Sequence, residues 1–401
     1  MDSRVVPVTL CRLKVAKSTH PLGTQPAQQI AWSKLPFPLL ISAMPMIKPL
    51  EFGWFLPTNG DTTSFTRPAE VEQSLEMFDR VVLAAEQAGF EYMLVPVQTA
   101  CWEAWISSAL MVGRSQSIKM LIAARPGYIN PVLLAKMIST FDQLTQGRIC
   151  INLIAGASDE EAKAEGIAFA KAERYEVMEE EVTILKKLWE SKQGVDFDGR
   201  YYQLSGARIR PPIFQRPYPP FYLGGGSERA WHMSAKHATV HLFWGDHPER
   251  IGEQIRAIRK IAATYGREDE LGFGMRLQII CREDEKEAWA AAHKLIEGAS
   301  EKHKELIQNM FNASAANQRM RELSQRDDHF LLPNLWTGIT TVRPGAGVAV
   351  VGNPQQCAET LQQFIDVGCH SFCLSGYLHD AEAERFGRLV RPLLTSPGVS
   401  G

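Results

Sequence analysis

From residue 51 onward the chain alternates between two hydrophobic periods. Short apolar runs suited to buried strands are each followed by a longer segment whose apolar residues recur every three or four positions, the spacing of one helix face. The first run is 52–57 (FGWFLP). A helical pattern over 71–88 follows, with Leu75, Phe78, Val82 and Ala85 on one stripe and Gly89 as its stop. Further strands are predicted at 92–95, 118–124 (IKMLIAA) and 149–154 (ICINLI). Between them lie helices over 102–112 and over 132–145, the second aligning Leu134, Met137, Ile138, Phe141 and Leu144. A helix over 175–189 turns Met178, Val182, Leu185 and Trp189 inward, and 195–204 reads as a hairpin turning at Asp198-Gly199. Strands at 221–223, 240–243, 273–281 and 371–374 complete a set of eight, with a long excursion over about 284–370 before the last. Parallel strands require such crossovers. The pattern therefore predicts an α/β chain folded as a (β/α)8 TIM barrel with an insertion between strands seven and eight. An open doubly wound sheet would carry a glycine-rich turn after its first strand, whereas that turn here is Thr58-Asn59-Gly60-Asp61.

Residues 1–45 carry neither period, and Pro7, Pro21, Pro26, Pro36, Pro38 and Pro45 interrupt them. They are expected to form an irregular N-terminal extension that contributes little to a barrel domain over 46–401. The apolar stretch 35–45 lies too far along the chain, and is too broken by proline, for a secretory signal. Forty-three Lys+Arg against 45 Asp+Glu leave a formal charge of −2, which argues against a nucleic-acid partner. No apolar run is long enough to span a membrane. Seven scattered cysteines read as reduced thiols in a cytoplasmic protein, and neither they nor the histidines have metal-ligand spacing.

Barrel enzymes work at the C-terminal ends of their strands. The polar residues there are Asn59, Cys101, Arg125, Asn152, the run Gly224-Gly225-Gly226-Ser227, Trp244, Arg276, Gln278, Tyr377 and His379. Alternation in strand seven puts Phe273, Met275, Leu277 and Ile279 on one face, and Gly274, Arg276 and Gln278 on the face toward the barrel axis. A buried arginine there needs an anion, either a ligand or a carboxylate of the barrel itself. Gly225, Gly226 and Ser227 open a helix and suit a phosphate, or else form a tight strand-to-helix turn. Cys101 reads as a catalytic residue or a small buried one, and His379 as a catalytic group or a solvent-facing helix start. The PGAGVAVVG segment lacks the third glycine of a dinucleotide fingerprint, so no NAD(P)H site is expected.

Several stretches together carry a resemblance: FLPTNGD at the first strand, Cys101 in CWEAW, AARPGYINP after strand three, INLIAG, and ERYE at 173–176. Further on come QRPYPPFYLGGGS, FWGDHPE, NLWTGITTVRPGAG and LSGYLH. From about Leu50 to Leu394 the chain resembles the bacterial luciferase-like flavin monooxygenases, most closely their alkanesulfonate branch. The resemblance implies a (β/α)8 barrel and a two-component enzyme. Such an enzyme takes reduced FMN (FMNH2) from a separate NAD(P)H-dependent FMN reductase, uses O2, and splits an organosulfonate into an aldehyde and sulfite. It also implies a homo-oligomer, dimer or tetramer. Carried over residue by residue, it implies catalytic roles for Cys101, Arg276, Arg343, Tyr377 and His379, and phosphate contacts from Tyr175 and Ser227. Two positions depart from the branch, where histidine is usual: Asn59 and Gln278. Substrate contacts are expected from Asn59, Arg125, Trp244 and Gln278, and cofactor contacts from Asn152, Tyr175, Gly225, Gly226 and Ser227. Arg125, Arg276 and Arg343 are expected to converge on the sulfonate. The glycine-containing segment 337–352 is expected to form a mobile lid, holding Arg343 away from Arg276 and Tyr377 until ligands arrive. The alternatives are another sulfonated compound, a sulfone or a small heterocycle as substrate, a deazaflavin-dependent reductase or dehydrogenase, and a flavin-binding barrel without catalysis.

Overall fold

Gly53 stands on the first strand of a closed barrel, and a Cβ there would collide with the Tyr92 ring, which crosses the barrel interior. The computed structural model describes residues 48–395 except 157, 311–313 and 327, so the extension expected over 1–45 lies outside the described residues. The strands in chain order are β1 (Glu51–Phe55), β2 (Tyr92–Val95), β3 (Lys119–Ala124), β4 (Ile149–Leu153), β5 (Val195–Asp198), β6 (Gln203–Ala207) and β7 (Phe221–Gly224). After them come β8 (Val240–Trp244), β9 (Gly272–Cys281), β10 (Phe330–Leu332), β11 (Leu335–Trp336), β12 (Ala349–Gly352) and β13 (Ser371–Ser375). β1, β2, β3, β4, β7, β8, β9 and β13 are joined in parallel in that circular order, and β13 returns to β1. This is the predicted TIM barrel.

The helices are α1 (Leu75–Gln87), α2 (Ala104–Val112), α3 (Pro131–Thr145), α4 (Asp159–Ala164), α5 (Lys171–Glu190), α6 (Glu228–His237) and α7 (Pro248–Ala263). The insertion adds α8 (Glu285–Ile296), α9 (Glu301–Met310) and α10 (Ala315–Ser324). α11 (Pro354–Asp366) and α12 (His379–Arg385) flank the last strand. Capping fixes where several begin: the Ser74 and Ser227 side chains accept the backbone N–H groups of Met77 and Ala230, and Asn130 with Pro131 starts α3. Each such cap stabilises its helix by about 1 kcal/mol. Two residues of the expected stripes face solvent instead, Leu75 at 40% exposure and Leu144 at 81%. Both sit in a terminal turn, where the helix has passed the edge of the barrel; Phe78, Val82 and Ala85 of the same stripe are buried.

The insertion is not wholly helical. β12 pairs in parallel with the far half of β9, and β11 and β10 add antiparallel to it. A three-stranded annex therefore hangs from the edge of the barrel. Inside the barrel, Glu51 lies at the bottom and accepts hydrogen bonds from Tyr222 Oη (2.7 Å) and Ser371 Oγ (2.9 Å). Above it pack Leu94, Leu121, Cys150, Leu242 and Cys373. The outward faces of the strands, including Phe273, Met275, Leu277 and Ile279, join the core shared with the helices. Among the described residues, no helix is long and apolar enough to cross a membrane.

Candidate active site

Alternation carries Phe55, Asn152, Trp244, Arg276 and Ser375 to the top of the barrel interior, one layer above Leu242 and Cys373. Arg276 is 7% exposed. Its Nη1 donates to Leu277 O (2.9 Å) and Cys373 O (3.4 Å), its Nη2 donates to Ser375 Oγ (2.9 Å), and its guanidinium lies 4.8 Å from the Phe55 ring centroid. No carboxylate pairs with it among the described residues. Burial lowers its proton affinity, and nearby Arg343 lowers it further, against the pull of Cys373 and Tyr377.

Gln278 is fully buried, and its neighbours occupy its amide. Its Oε1 accepts from Ser375 Oγ and from Tyr377 Oη (3.0 Å), while its Nε2 donates to Ala346 O at 2.7 Å. The expected substrate contact is replaced by a different job. Gln278 ties the loop that carries Arg343 to the barrel. Burial pushes the Tyr377 phenol up, with Arg343 and Arg276 pulling against it. Its ring meets Phe65 and His379 edge-on at 4.8 and 5.1 Å.

His379 is 2% exposed. Its backbone N–H and its Nδ1 both meet the carboxylate of Asp61, at 2.7 and 2.8 Å, and its Nε2 is buried with no hydrogen-bond partner among the described residues. Burial raises the Asp61 carboxyl, but the His379 imidazole and backbone outweigh it and hold Asp61 below the usual carboxylate range. Cys101 is partly buried after β2. Burial pushes its thiol up, opposed by the Thr58 hydroxyl and Arg343.

Three expectations change. Asn59 is exposed, at the tip of its turn, because the buried positions there belong to Thr58 and Asp61. Arg125 does not converge with the other arginines on an open site: its guanidinium donates to Glu161 (2.9 Å), Glu165 (2.8 Å) and Val97 O (3.1 Å). Two carboxylates already neutralise it, and it anchors α4. The 337–352 segment is not a free lid either. Residues 337–341 are buried, 349–352 form β12, and Arg343 lies near enough to Cys101, Arg276 and Tyr377 to affect all three. The turn between them, which carries Arg343, is held to the barrel by Gln278.

The glycine run makes a second locus. Gly225 has φ +145°, and a Cβ there would stand 2.8 Å from Ala230 Cβ and 3.5 Å from Tyr175 Oη. The Tyr175 hydroxyl bonds to Ser227, which caps α6. The backbone N–H groups of the first turn of α6 thus open onto a space that glycine keeps clear beside two hydroxyls, a donor set that fits a phosphate. α10 covers it: a Cβ on Gly226 would come 3.6 Å from Ala316 N. Its Arg319 grips Asp246 at 2.7 and 2.8 Å. Beside this locus, Arg174 is 1% exposed and bonds Ala155 O, Phe169 O and Asp159, fixing the loop after β4.

Asp61, Ser375 and Phe55 also lie at this mouth, beyond the residues expected there. Asp61 lies inside the quoted FLPTNGD stretch. The alternation of small polar residues in SFCLS, Ser371 to Ser375, was the signal for Ser375.

Residues 50–371 match the family model of luciferase-like monooxygenases. Among solved structures, the chain is similar to a riboflavin lyase (RcaE) bound to modified FMN and riboflavin, at 18% identity and TM-score 0.71 over 88% of this chain and 93% of that one. It is similar also to the long-chain alkane monooxygenase LadA, at 19% identity and TM-score 0.68 over 89% and 94%. A third likeness is to the EDTA monooxygenase EmoA from Chelativorans sp. BNC1, at 18% identity and TM-score 0.67 over 88% and 95%. At these identities the structures speak for the fold, and the family model speaks for descent: this chain belongs to the luciferase-like monooxygenase family.

Proposed function

We propose that this protein is a two-component, FMNH2-dependent monooxygenase that desulfonates an organosulfonate to an aldehyde and sulfite. The observation that carries the reading is Arg276: a guanidinium 7% exposed at the barrel mouth, bonded to carbonyls and one hydroxyl, with no carboxylate among the described residues to balance it. A cation so placed favours an anionic ligand, and a sulfonate offers acceptor oxygens that match the guanidinium fork. Arg343 brings a second positive charge to the same mouth.

Reduced FMN, delivered by a separate NAD(P)H-dependent reductase, supplies the electrons and activates oxygen. Gly225, Gly226, Ser227 and Tyr175 hold its phosphate, and Asn152 and Trp244 line the path from that cradle to Arg276. Arg276 and Arg343 bind and orient the sulfonate. Gln278 holds the Arg343 loop across the mouth and keeps water out, which limits loss of oxygen as hydrogen peroxide. His379 Nε2 and the Tyr377 hydroxyl are the groups positioned to exchange protons. Cys101 acts as an uncharged wall residue. Buried cysteines suit a reducing cytoplasm. Ile106 and Leu110, exposed at 66 and 48% one turn apart on α2, with Trp102 just before that helix at 47%, support a homo-oligomer built through that surface.

The test is sulfite release from a panel of sulfonates, with reduced FMN generated by an added flavin reductase. Stoichiometric sulfite from one class of sulfonate is the expected result. Sulfite from none, with turnover of a sulfone or a small heterocycle, would move the substrate assignment. Activity only with a reduced deazaflavin would overturn the cofactor assignment.

A further inference from the structure

The turn after β1 does more than close a loop. It fixes Asp61 through a backbone bridge to Val71, at 2.9 and 3.0 Å in the two directions, and through Thr62 N–H donating to Oδ1 at 2.9 Å. Asp61, 3% exposed, then receives His379 twice, its backbone N–H on Oδ2 and its Nδ1 on Oδ1. An ionised carboxylate only accepts hydrogen bonds, so Nδ1 must carry the proton. That leaves Nε2, buried and with no hydrogen-bond partner among the described residues, as the basic atom of the ring. The ring is wedged between Trp54, Phe55 and Tyr377, at centroid distances of 6.2, 5.8 and 5.1 Å. Phe55 in turn lies under Arg276.

We propose that Asp61 is the positioning residue of an Asp61–His379 dyad, locking the Nδ1–H tautomer so that Nε2 faces the reacting ligands. The inference rests on the monooxygenase reading for its chemistry, but its geometry does not depend on it. During turnover Nε2 takes a proton from an O–H or N–H group of the bound ligands, forming the N–H bond as the other breaks. Asp61 stabilises the imidazolium, and the same proton is returned to the departing group. The charged and titratable groups facing this ring are Asp61 from the β1 turn and the Tyr377 phenol from the β13 loop, with Arg276 and Arg343 beyond the phenol. An aspartate that fixes a histidine tautomer in this way is a known arrangement in acid–base catalysis.

The experiment compares wild type, Asp61→Asn and Asp61→Glu by 15N NMR of the histidine side chains, with His379 assigned from His379→Gln, and by single-turnover kinetics. In wild type the His379 proton resides on Nδ1. In Asp61→Asn that signal shifts to Nε2 or collapses, kcat falls by about 100-fold, and KM for the sulfonate changes less than threefold, on the order of 0.6 kcal/mol. Asp61→Glu, which keeps the carboxylate, restores the Nδ1 signal and most of the rate. An unchanged tautomer in folded Asp61→Asn would overturn the dyad. So would Asp61→Glu matching Asp61→Asn in both signal and rate. Absence of sulfite release by wild type, with the tautomer shift present, would instead overturn the monooxygenase reading and leave the dyad standing.

Discussion

Arg276 and Gln278, two residues apart on β9, divide the work of the site: one supplies an unbalanced charge, the other spends its whole amide on neighbours. Arg276→Ala should lose about 2–3 kcal/mol of sulfonate binding, the worth of a charge-assisted hydrogen bond. Arg276→Lys should recover less than half of that, because a point charge cannot serve Leu277 O and Ser375 Oγ while forking to a ligand. Titration of kcat/KM over a sulfonate series checks both, and full activity in the lysine variant would refute the bidentate assignment. A second buried group governs the pH dependence of stability. Glu181, 5% exposed, accepts Gly127 N–H and Tyr202 Oη, and burial pushes its carboxyl up to about 7 from 4.5 despite those bonds. Between those values the folded state binds more protons than the unfolded one. The stability Glu181 provides is therefore full below pH 4.5 and is lost as pH rises through 7. Glu181→Gln, which can keep both accepted bonds, should stabilise the protein by about 1–3 kcal/mol at pH 8 and by little at pH 4.5. Urea unfolding at the two pH values measures it, and equal effects at both would refute it.

At the scale of elements, the glycine turn before α6, proposed to hold the phosphate, and the turn tied by Gln278 each carry a prediction. Gly225→Ala places a side chain in a φ +145° conformation that L residues rarely adopt, against Ala230. Reduced FMN should bind about tenfold more weakly or worse, roughly 1.4 kcal/mol, by anaerobic fluorescence titration. Unchanged affinity would place the phosphate elsewhere. Gln278→Ala releases Ala346 O and strands two hydroxyls. It should cost about 1–3 kcal/mol, speed amide exchange over residues 342–348, and raise hydrogen peroxide released per reduced FMN. Unaltered exchange would show that the loop does not depend on residue 278. The barrel strands were legible because they are apolar runs, most of them bracketed by glycine or proline, and Arg276 because strand alternation points it inward. The annex was not: β10 and β11 are three and two residues long, too short to show a period, and β12 is an AVVG run within a glycine-containing stretch. The fate of Arg125 was equally hidden, since Glu161, which neutralises it, lies 36 residues away on a helix the periodicity did not mark.

For the molecule as a whole, the surface of α2 and the seam of the barrel matter most. Ile106 and Leu110 on α2, with Trp102 just before it, are exposed apolar residues that a second subunit would bury under the proposed assembly. Ile106→Arg should therefore dissociate the oligomer, read by sedimentation equilibrium, with folding intact by circular dichroism; a wild-type monomer would refute the assembly. The seam lies along β9. Its residues from Gly272 to Gln278 are in register with β8 and β13 and close the barrel, while those from Gln278 to Cys281 are in register with β12 and carry the annex. Gln278 is the one position shared, opposite Ser375 on one side and Ala349 on the other. What covers the mouth and what performs chemistry inside it are thus built on consecutive stretches of a single strand, and can change at separate rates. An insertion of new length or sequence between residues 282 and 348 leaves the registers that close the barrel untouched. Any such replacement must still offer an acceptor to the side chain at 278, so relatives with different covers should differ there together with their covers, even where the barrel below is unaltered.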